Sequence, residues 1–336
     1  MGIYSSKKDQ FSEDLRRRIS VREPLNKYCL YRVGGPADLF FTAKSADDLE
    51  NIVMEAQSLR IPFLVIGKGS NVLFGDSGYT GLVIQNTAGN ITVAYDKTNT
   101  DHPLLEVESG VSVADLLRAL QDQRSFQLVL SRSGVPQYFD SSLLAEFQGI
   151  PGTIGGAVYG NAGCFGKEIG DFVEKVEILD IANATAQKKS LSKNDGTLRF
   201  MYRWSSMKEK DERENNHRTN TVIVKAFLRL SLTDIPPKIA VDDALRKARS
   251  EKQPPGFSCG SFFKNPSSGK SAGELIEAAG FKGKRMGGAQ ISEKHGNFIL
   301  NVGGAKTSDI LGLAEEVKKE VFRHFGVELE EEVRVY

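Results

Sequence analysis

The segment Gly149-Ile150-Pro151-Gly152-Thr153-Ile154-Gly155-Gly156-Ala157-Val158-Tyr159-Gly160-Asn161-Ala162-Gly163 constrains this chain more than any other. So many small residues, with so few apolar ones between them, fill a core poorly, and each glycine costs conformational entropy on folding. The run therefore needs something laid against it. Either a flat or charged ligand lies there, or a neighbouring backbone packs tightly onto it. A second glycine-rich stretch, Gly67-Lys68-Gly69-Ser70-Asn71-Val72-Leu73, follows the apolar run Phe63-Leu64-Val65-Ile66. Glycines let the backbone approach a ligand closely, and successive N–H groups in such a turn form an anion-binding nest that suits a pyrophosphate. No G-x-G-x-x-G opens a helix at this stretch and no G-K-[ST] follows it, so it is neither the dinucleotide fingerprint nor the P-loop.

The flanking pattern builds an α+β frame around both stretches. Residues 1–25 are polar and charged and read as a helical or frayed lead-in. A strand at 38–43 follows the Gly34-Gly35-Pro36 turn, and Leu49, Ile52, Val53 and Ala56 mark a helix over about 45–59. With strands at 63–66 and 82–84 this is a βαβ-like beginning. A strand at 104–108 and a helix at 112–121 then join the two glycine stretches into one unit. Strands at 176–179 and 221–226 flank Tyr202-Arg203-Trp204, which reads either as a site or as an arginine stacked on aromatics at a strand end. The charged run 208–216 reads as a solvated loop. A helix over about 240–250 leads through Pro254-Pro255, which puts a boundary near residue 234.

Beyond residue 272 the chain is compact again, with a helix at 273–279, a turn at 282–288 and a strand at 297–300. Ile310, Leu313, Ala314, Val317, Val321 and Phe325 stripe a helix over 308–325, which Thr307 or Ser308 can cap and Gly326 can end. Residues 327–336 alternate as a strand. Val327, Leu329, Val333 and Val335 share one face, so periodicity alone leaves Glu328, Glu330, Glu332 and Arg334 on the wet one.

The chain has 336 residues, which suggests two or three domains. Its 44 basic and 43 acidic residues cancel, so no global field favours nucleic acid or an anionic membrane. No apolar run approaches the roughly 20 residues that cross a bilayer. The start of the chain has no apolar signal-peptide core, so a soluble cytoplasmic protein is expected, with no obligate protein partner. Cys29, Cys164 and Cys259 are far apart and odd in number, which predicts reduced thiols. Four histidines without H-x-x-x-H spacing argue against a metal and against a Ser-His-Asp hydrolase. Catalysis would then rest on a cofactor or on other side chains.

One octapeptide carries such a side chain. Cys259-Gly260-Ser261-Phe262-Phe263-Lys264-Asn265-Pro266 sets a lone hydroxyl between a flexible glycine and two aromatics, with a cation and an amide following. Gly, Ser, Asn and Pro are also turn residues, so the motif alone supports a turn as well as a site. Cys259 has no histidine near it in sequence and reads as a small packing residue.

Taken in order, the motifs resemble the UDP-N-acetylenolpyruvoylglucosamine reductase family over nearly the whole chain. They are Gly-x-Gly-Ser-Asn-x-Leu at 67–73, Gly-Ile-Pro-Gly-Thr-x-Gly-Gly-Ala at 149–157, Tyr202-Arg203, Gly-Ser-Phe-Phe-Lys-Asn-Pro at 260–266, Ala-Gly-x-Leu-Ile at 272–276, and the closing Glu332-Val333-Arg334. The Lys282 to Gly288 turn and the Ser292-Glu293-Lys294-His295-Gly296 segment resemble the subgroup with a compact substrate lobe. The resemblance implies an α+β fold with a two-lobed FAD-binding domain of the vanillyl-alcohol oxidase / p-cresol methylhydroxylase type at 26–233, its lobes at about 26–87 and 88–233. An N-terminal extension at 1–25 would precede it. An α+β substrate-binding domain at 234–326 would follow, and a C-terminal strand at 327–336 would return Glu332 to the active site.

The same resemblance implies noncovalent FAD held by Ile66, Gly67, Lys68, Gly69, Ser70, Asn71, Gly149, Pro151, Gly152, Thr153, Gly155, Gly156 and Ala157. NADPH would reduce the flavin, and UDP-N-acetylglucosamine enolpyruvate would then be reduced to UDP-N-acetylmuramate for peptidoglycan, hence for cell-wall growth, cell shape and division. In that chemistry Arg203 matches the arginine that holds enolate or carboxylate charge. Glu332 matches the glutamate that polarises the acceptor or assists the proton relay, and Ser261 matches the proton donor to C2. Tyr202, Lys252, Asn265 and His295 align with substrate contacts. Two rivals remain: an FAD-dependent sugar or lactone oxidase of the same fold, which would reoxidise in air without NADPH, and a non-catalytic nucleotide-sugar sensor, which would not need Arg203, Ser261 and Glu332.

Overall fold

The structure, a computed structural model, describes residues 2–96, 99–123, 137–182, 185–209, 211, 219–236, 247, 251, 253–267 and 269–336. The helix expected over 240–250 lies outside the described residues, apart from Lys247, and so does most of the charged run at 208–216.

The lead-in is ordered rather than frayed. A 3-10 turn, Ser5–Gln10, precedes helix α1 (Glu13–Arg18) and strand β1 (Ser20–Pro24), which forms the antiparallel edge of the first sheet. The charges masked the reason: Phe11, Leu15 and Ile19 fall four residues apart and all three are buried. Arg18 then pairs with Asp48 of the next helix, Nη1 to Oδ1 at 2.8 Å.

Strands β2 (Pro36–Ala43), β3 (Phe63–Ile66) and β4 (Tyr79–Asn86) complete that sheet in the order β1-β2-β4-β3, with β2 and β3 parallel to β4. Helix α2 (Ala46–Ser58) connects β2 to β3, and its cap is Ser45, whose hydroxyl accepts the Asp48 N–H at 3.1 Å. The period of two splits the strands between two cores. Leu64, Ile66 and Val83 enter one, while Phe63, Leu82 and Ile84 enter the other together with α2.

The second sheet is antiparallel throughout. Its strands are β5 (Ile91–Asp96), β6 (Asn99–Glu108), β7 (Val173–Ala182), β8 (Thr185–Ser192) and β9 (Thr221–Leu228), in the order β8-β7-β9-β6-β5. Val222 and Val224 on one face meet the α2 core, while Ile223 and Leu228 on the other pack with helix α3 (Val113–Asp122) and helix α4 (Ile154–Gly160). The glycine-rich segment thus opens a helix, which Thr153 caps by accepting the Gly156 N–H at 3.4 Å.

The C-terminal part contains helix α5 (Ala272–Ala278), the three-stranded antiparallel sheet β10 (Arg285–Met286), β11 (Ala289–Ile291) and β12 (Ile299–Asn301), and helix α6 (Thr307–Phe325). Part of the expected turn at 282–288 is therefore strand, because Gly287 at φ +53 reverses the chain tightly enough for Met286 to pair with Ala289. Neither Thr307 nor Ser308 caps α6. Lys306 occupies that position, and Asp76, distant in sequence, accepts the Thr307 and Ser308 N–H groups at 2.7 and 3.1 Å. Gly326 ends the helix at φ +66, as its position predicts. Residues 327–336 do not form one continuous strand. Arg334–Val335 pairs in parallel with Val72–Leu73, and Glu331 makes a single antiparallel bridge to Phe263, while Leu329 and Val333 are buried as expected.

One core joins the first sheet to the C-terminal part: Tyr31, Leu64 and Phe74 share it with Phe262, Phe263, Ile276 and Leu313. Among the described residues no helix is long and apolar enough to cross a membrane.

Candidate active site

A cavity of about 730 Å³ opens where the two sheets and the C-terminal part meet, within the range of roughly 300 to 1,000 Å³ that holds small ligands. Residues 66–72 and most of 149–157 line it, and so do Arg203, Ser261 and Glu332. The glycines differ in what lies against them. A Cβ on Gly67 would meet the Thr153 side chain, Oγ1 at 2.4 Å, and one on Gly69, at φ +64, would meet the Tyr28 carbonyl at 1.8 Å, so Gly67 packs on a side chain and Gly69 on backbone. Gly160 differs: a Cβ there would meet nothing within 4 Å, and the residue lines the cavity. Its missing side chain leaves room for a ligand.

The octapeptide turns at Gly260, φ +81, and presents Ser261 to the cavity. Phe262 and Phe263 behind it are fully buried, and the Phe262 N–H donates to the Asn297 carbonyl at 2.8 Å. The C-terminal segment is stitched to this turn, since the Glu332 N–H donates to the Phe262 carbonyl at 2.8 Å. It is stitched equally to the first glycine stretch: Asn71 Nδ2 donates to the Glu332 carbonyl at 3.0 Å, and the Arg334 N–H donates to the Asn71 carbonyl at 3.1 Å. Glu332 is thereby clamped between the serine turn and the expected phosphate nest. It does not lie on a solvent face as periodicity suggested, because the chain here is not a free strand.

Arg203 arrives from the far side, on the tight turn between the short strands Phe200–Met201 and Trp204–Ser205. It adopts φ +55, a left-handed conformation that costs a non-glycine residue about 1 to 2 kcal/mol. Its Nε lies 2.8 Å from Glu332 Oε1, an ion pair without hydrogen-bond alignment, and its Nη2 donates to the Gly163 carbonyl at 3.2 Å. The guanidinium stacks 5.0 Å from the Tyr202 ring centroid. Burial pushes the Glu332 carboxyl above the ordinary glutamate range, and Arg203 offsets part of that rise.

Of the remaining expected contacts, Tyr202 and Asn265 do not line the cavity. Tyr202 and Asn265 meet each other, the Asn265 N–H donating to the Tyr202 hydroxyl at 3.3 Å, while Asn265 Oδ1 accepts the Ala272 N–H at the start of α5. His295 is not among the cavity-lining residues. Its Nδ1 accepts the Asn297 N–H at 3.2 Å and its ring packs 4.9 Å from that of Phe298, so its polarity is used locally. Lys252 lies outside the described residues. The structure adds wall residues that the sequence reading passed over. Arg334 Nη1 donates to the Tyr159 hydroxyl at 2.8 Å, which in turn donates to Asp211 Oδ2 at 2.6 Å. Asp211 also accepts the Asn220 N–H at 2.9 Å and is buried, although it belongs to the charged run read as solvated. Burial raises both Asp211 and Tyr159 above their usual ranges. The available signals were the arginine of the closing motif and the one tyrosine inside a glycine run. Among the described residues no group of three or more His, Cys, Asp or Glu could hold a metal ion.

Known proteins share this organisation. Residues 252–336 match the family described as UDP-N-acetylenolpyruvoylglucosamine reductase, C-terminal domain, and residues 37–136 match an FAD binding domain. The UDP-N-acetylenolpyruvoylglucosamine reductase of Caldanaerobacter subterraneus subsp. tengcongensis is 34% identical over 331 residues, which cover 97% of each chain. The chain belongs to the UDP-N-acetylenolpyruvoylglucosamine reductase family. A second UDP-N-acetylenolpyruvoylglucosamine reductase, from Pelobacter propionicus, is 35% identical over 96% of this chain and 97% of its own. The crystal structure of UDP-N-acetylenolpyruvylglucosamine reductase from Thermus caldophilus superposes with a TM-score of 0.66 at 28% identity, covering 95% of this chain and 98% of that one. Membership of the UDP-N-acetylenolpyruvoylglucosamine reductase family fixes the α+β plan, an FAD-binding domain followed by the family's C-terminal domain. It makes the chain an oxidoreductase and does not favour the oxidase or sensor alternatives.

Proposed function

We propose that this chain reduces UDP-N-acetylglucosamine enolpyruvate to UDP-N-acetylmuramate, with NADPH as the hydride source and FAD as the carrier, in the cytoplasmic supply of peptidoglycan precursor. The observation that carries the reading is the convergence of Ser261, Arg203 and Glu332 at one cavity whose other walls are the two glycine stretches. In this reading residues 26–233 serve FAD and residues 234–326 serve the nucleotide-sugar, with residues 327–336 bringing Glu332 between them.

The wall fits the cofactor. The backbone of residues 67–71 offers N–H groups to a pyrophosphate, and the small residues 152–160 leave a flat surface for a ring system. Bound there, FAD would supply the redox chemistry, carrying hydride from the nicotinamide to the enolpyruvyl group. The chain's own residues then manage charge and a proton. Arg203 is a fixed guanidinium whose fork holds the substrate carboxylate and stabilises the negative charge that develops beside it. The ion pair with Glu332 keeps Arg203 in place before substrate arrives. Ser261 gives its hydroxyl proton to C2, which requires the oxygen within about 2.6 to 3.2 Å of that carbon's lone pair and a strongly basic carbanion. Glu332, its carboxyl raised by burial, completes the proton relay at that end of the cavity.

The test is the visible spectrum of the purified protein under anaerobic conditions. NADPH is expected to bleach a bound flavin, and UDP-N-acetylglucosamine enolpyruvate to restore the colour. A colourless protein that takes up no FAD overturns the assignment, and colour restored by air but not by the substrate favours the oxidase.

A further inference from the structure

Two of the three cysteines, remote in sequence, meet behind the first glycine stretch. Cys29 and Cys259 are both buried, at 2% and 7% exposure, and their sulfurs converge on one acceptor. Cys29 Sγ lies 3.1 Å from the Val72 carbonyl oxygen, while Cys259 Sγ lies 3.4 Å from the same oxygen and 3.7 Å from the Gly69 carbonyl. The adjacent Cys259 side chain holds the Cys29 thiol below its ordinary range, with burial opposing it and the Tyr31, Val33 and Arg32 backbone adding to it, which favours a thiolate there. A third group faces the pair: the Tyr31 hydroxyl is wholly buried beside both sulfurs and makes no hydrogen bond among the described residues. Cys259 lines the large cavity, so a small oxidant in the cavity reaches the pair. Cys164 is engaged elsewhere, its sulfur 2.8 Å from the Glu146 carbonyl.

We propose that Cys29 and Cys259 are a redox modification site, a dithiol that hydrogen peroxide closes to a disulfide and that loosens FAD by releasing the loop at residues 69–72. The step balances as two thiols and one peroxide giving one disulfide and two waters. The Cys29 thiolate attacks one peroxide oxygen and becomes a sulfenic acid, and the hydroxide that leaves takes up the thiol's proton as the first water. The Cys259 sulfur then attacks the Cys29 sulfur, the S–S bond forms, and the sulfenic oxygen departs with the Cys259 proton as the second water. Both S–H donors to the Gly69 and Val72 carbonyls are lost in the product. Those carbonyls belong to the stretch whose amides are assigned to the FAD pyrophosphate, so the second half of the proposal rests on the function proposed above, while disulfide formation does not.

The experiment treats the full-length holoenzyme with hydrogen peroxide, denatures it, alkylates free thiols with iodoacetamide and maps the peptides by mass spectrometry. The expected product joins the Cys29 and Cys259 peptides, lacks two hydrogens, is reopened by dithiothreitol and leaves Cys164 alkylated. Retained FAD is measured on the same samples. Oxidation is expected to weaken FAD binding roughly three- to tenfold, the loss of one or two modest hydrogen bonds, and dithiothreitol to restore it. In Cys259→Ala, peroxide is expected neither to cross-link Cys29 nor to change FAD retention. If that variant does not fold, the reduced and oxidised wild-type samples still decide. Full alkylation of both cysteines after peroxide, separate over-oxidation of each, or a bridge to Cys164 overturns the site. A Cys29–Cys259 disulfide with unchanged FAD affinity overturns the coupling to the cofactor loop.

Discussion

Ser261 and Glu332 line the same cavity, and their chemistry separates in two measurements. Serine is a poor acid at its ordinary pKa, so its value as a proton donor lies in position. Ser261→Ala is expected to leave NADPH bleaching of the flavin intact and to slow its reoxidation by substrate roughly 10²- to 10⁴-fold, the usual weight of a positioned acid. Stopped-flow absorbance resolves the two halves, and unimpaired reoxidation by substrate would remove Ser261 from the proposed role. For Glu332 the handle is pH. Burial raises its folded carboxyl above the unfolded value, with Arg203 pulling part of the way back, so the folded chain holds that proton more tightly than the unfolded one. Its contribution to stability is therefore complete below the ordinary glutamate pKa of about 4.3 and drains away as pH rises through the raised folded value. Glu332→Gln cannot titrate. Wild-type stability minus that of Glu332→Gln, read from urea melts over a pH series, should be largest in acid and shrink as pH rises. The opposite trend would show that Arg203, not burial, dominates the carboxyl.

At the scale of elements, α6 shows how a helix can be legible in its body and opaque at its start. Its apolar stripe and Gly326 place the helix almost residue for residue, because the period and the left-handed end residue are local signals. Its cap is only partly local: Asp309 accepts the Lys306 N–H, but the acceptor for the Thr307 and Ser308 N–H groups is Asp76, from the turn after Val72–Leu73. The contact ties the C-terminal helix to the first sheet. Burial alone would raise the Asp76 carboxyl, but the two N–H donors outweigh it and hold it below its ordinary value. Its stabilising effect is thus present above the unfolded aspartate pKa and is lost as pH falls through the folded one. Asp76→Ala is expected to cost about 1 to 2 kcal/mol at neutral pH. Asp76→Asn, which still accepts the N–H groups, should keep most of that stability and lose the acid-side dependence. Equal melting of wild type and Asp76→Ala across that pH range would mean that the helix start needs no cap from outside.

Over the whole molecule, the sequence made legible whatever repeats with a short period or spells a local turn: β2, α2, β3, both glycine stretches and the serine turn. It hid what depends on a partner far along the chain. The lead-in could be read as frayed as well as helical because its charges outnumber Phe11, Leu15 and Ile19, and Asp211 looked solvated because its neighbours are charged, although Tyr159 and Asn220 hold it inside. Glu332 looked wet because alternation assumes a free strand, whereas Asn71 and Phe262 fix the backbone there. The same long-range logic governs stability. The separate matches at residues 37–136 and 252–336 suggest independent units, yet Leu64 and Phe74 share one buried cluster with Phe262, Ile276 and Leu313. Neither part can then lose its core without exposing the other's. Leu313→Ala, a truncation at a fully buried position of α6, is expected to destabilise the chain by about 2 to 5 kcal/mol. Hydrogen exchange locates the loss. Amides of β2 and β3, which lie outside the helix altered, should lose protection as much as those of α6, because both would open through the same cooperative unfolding. Loss confined to residues 272–325 would show two separately folding units that only touch.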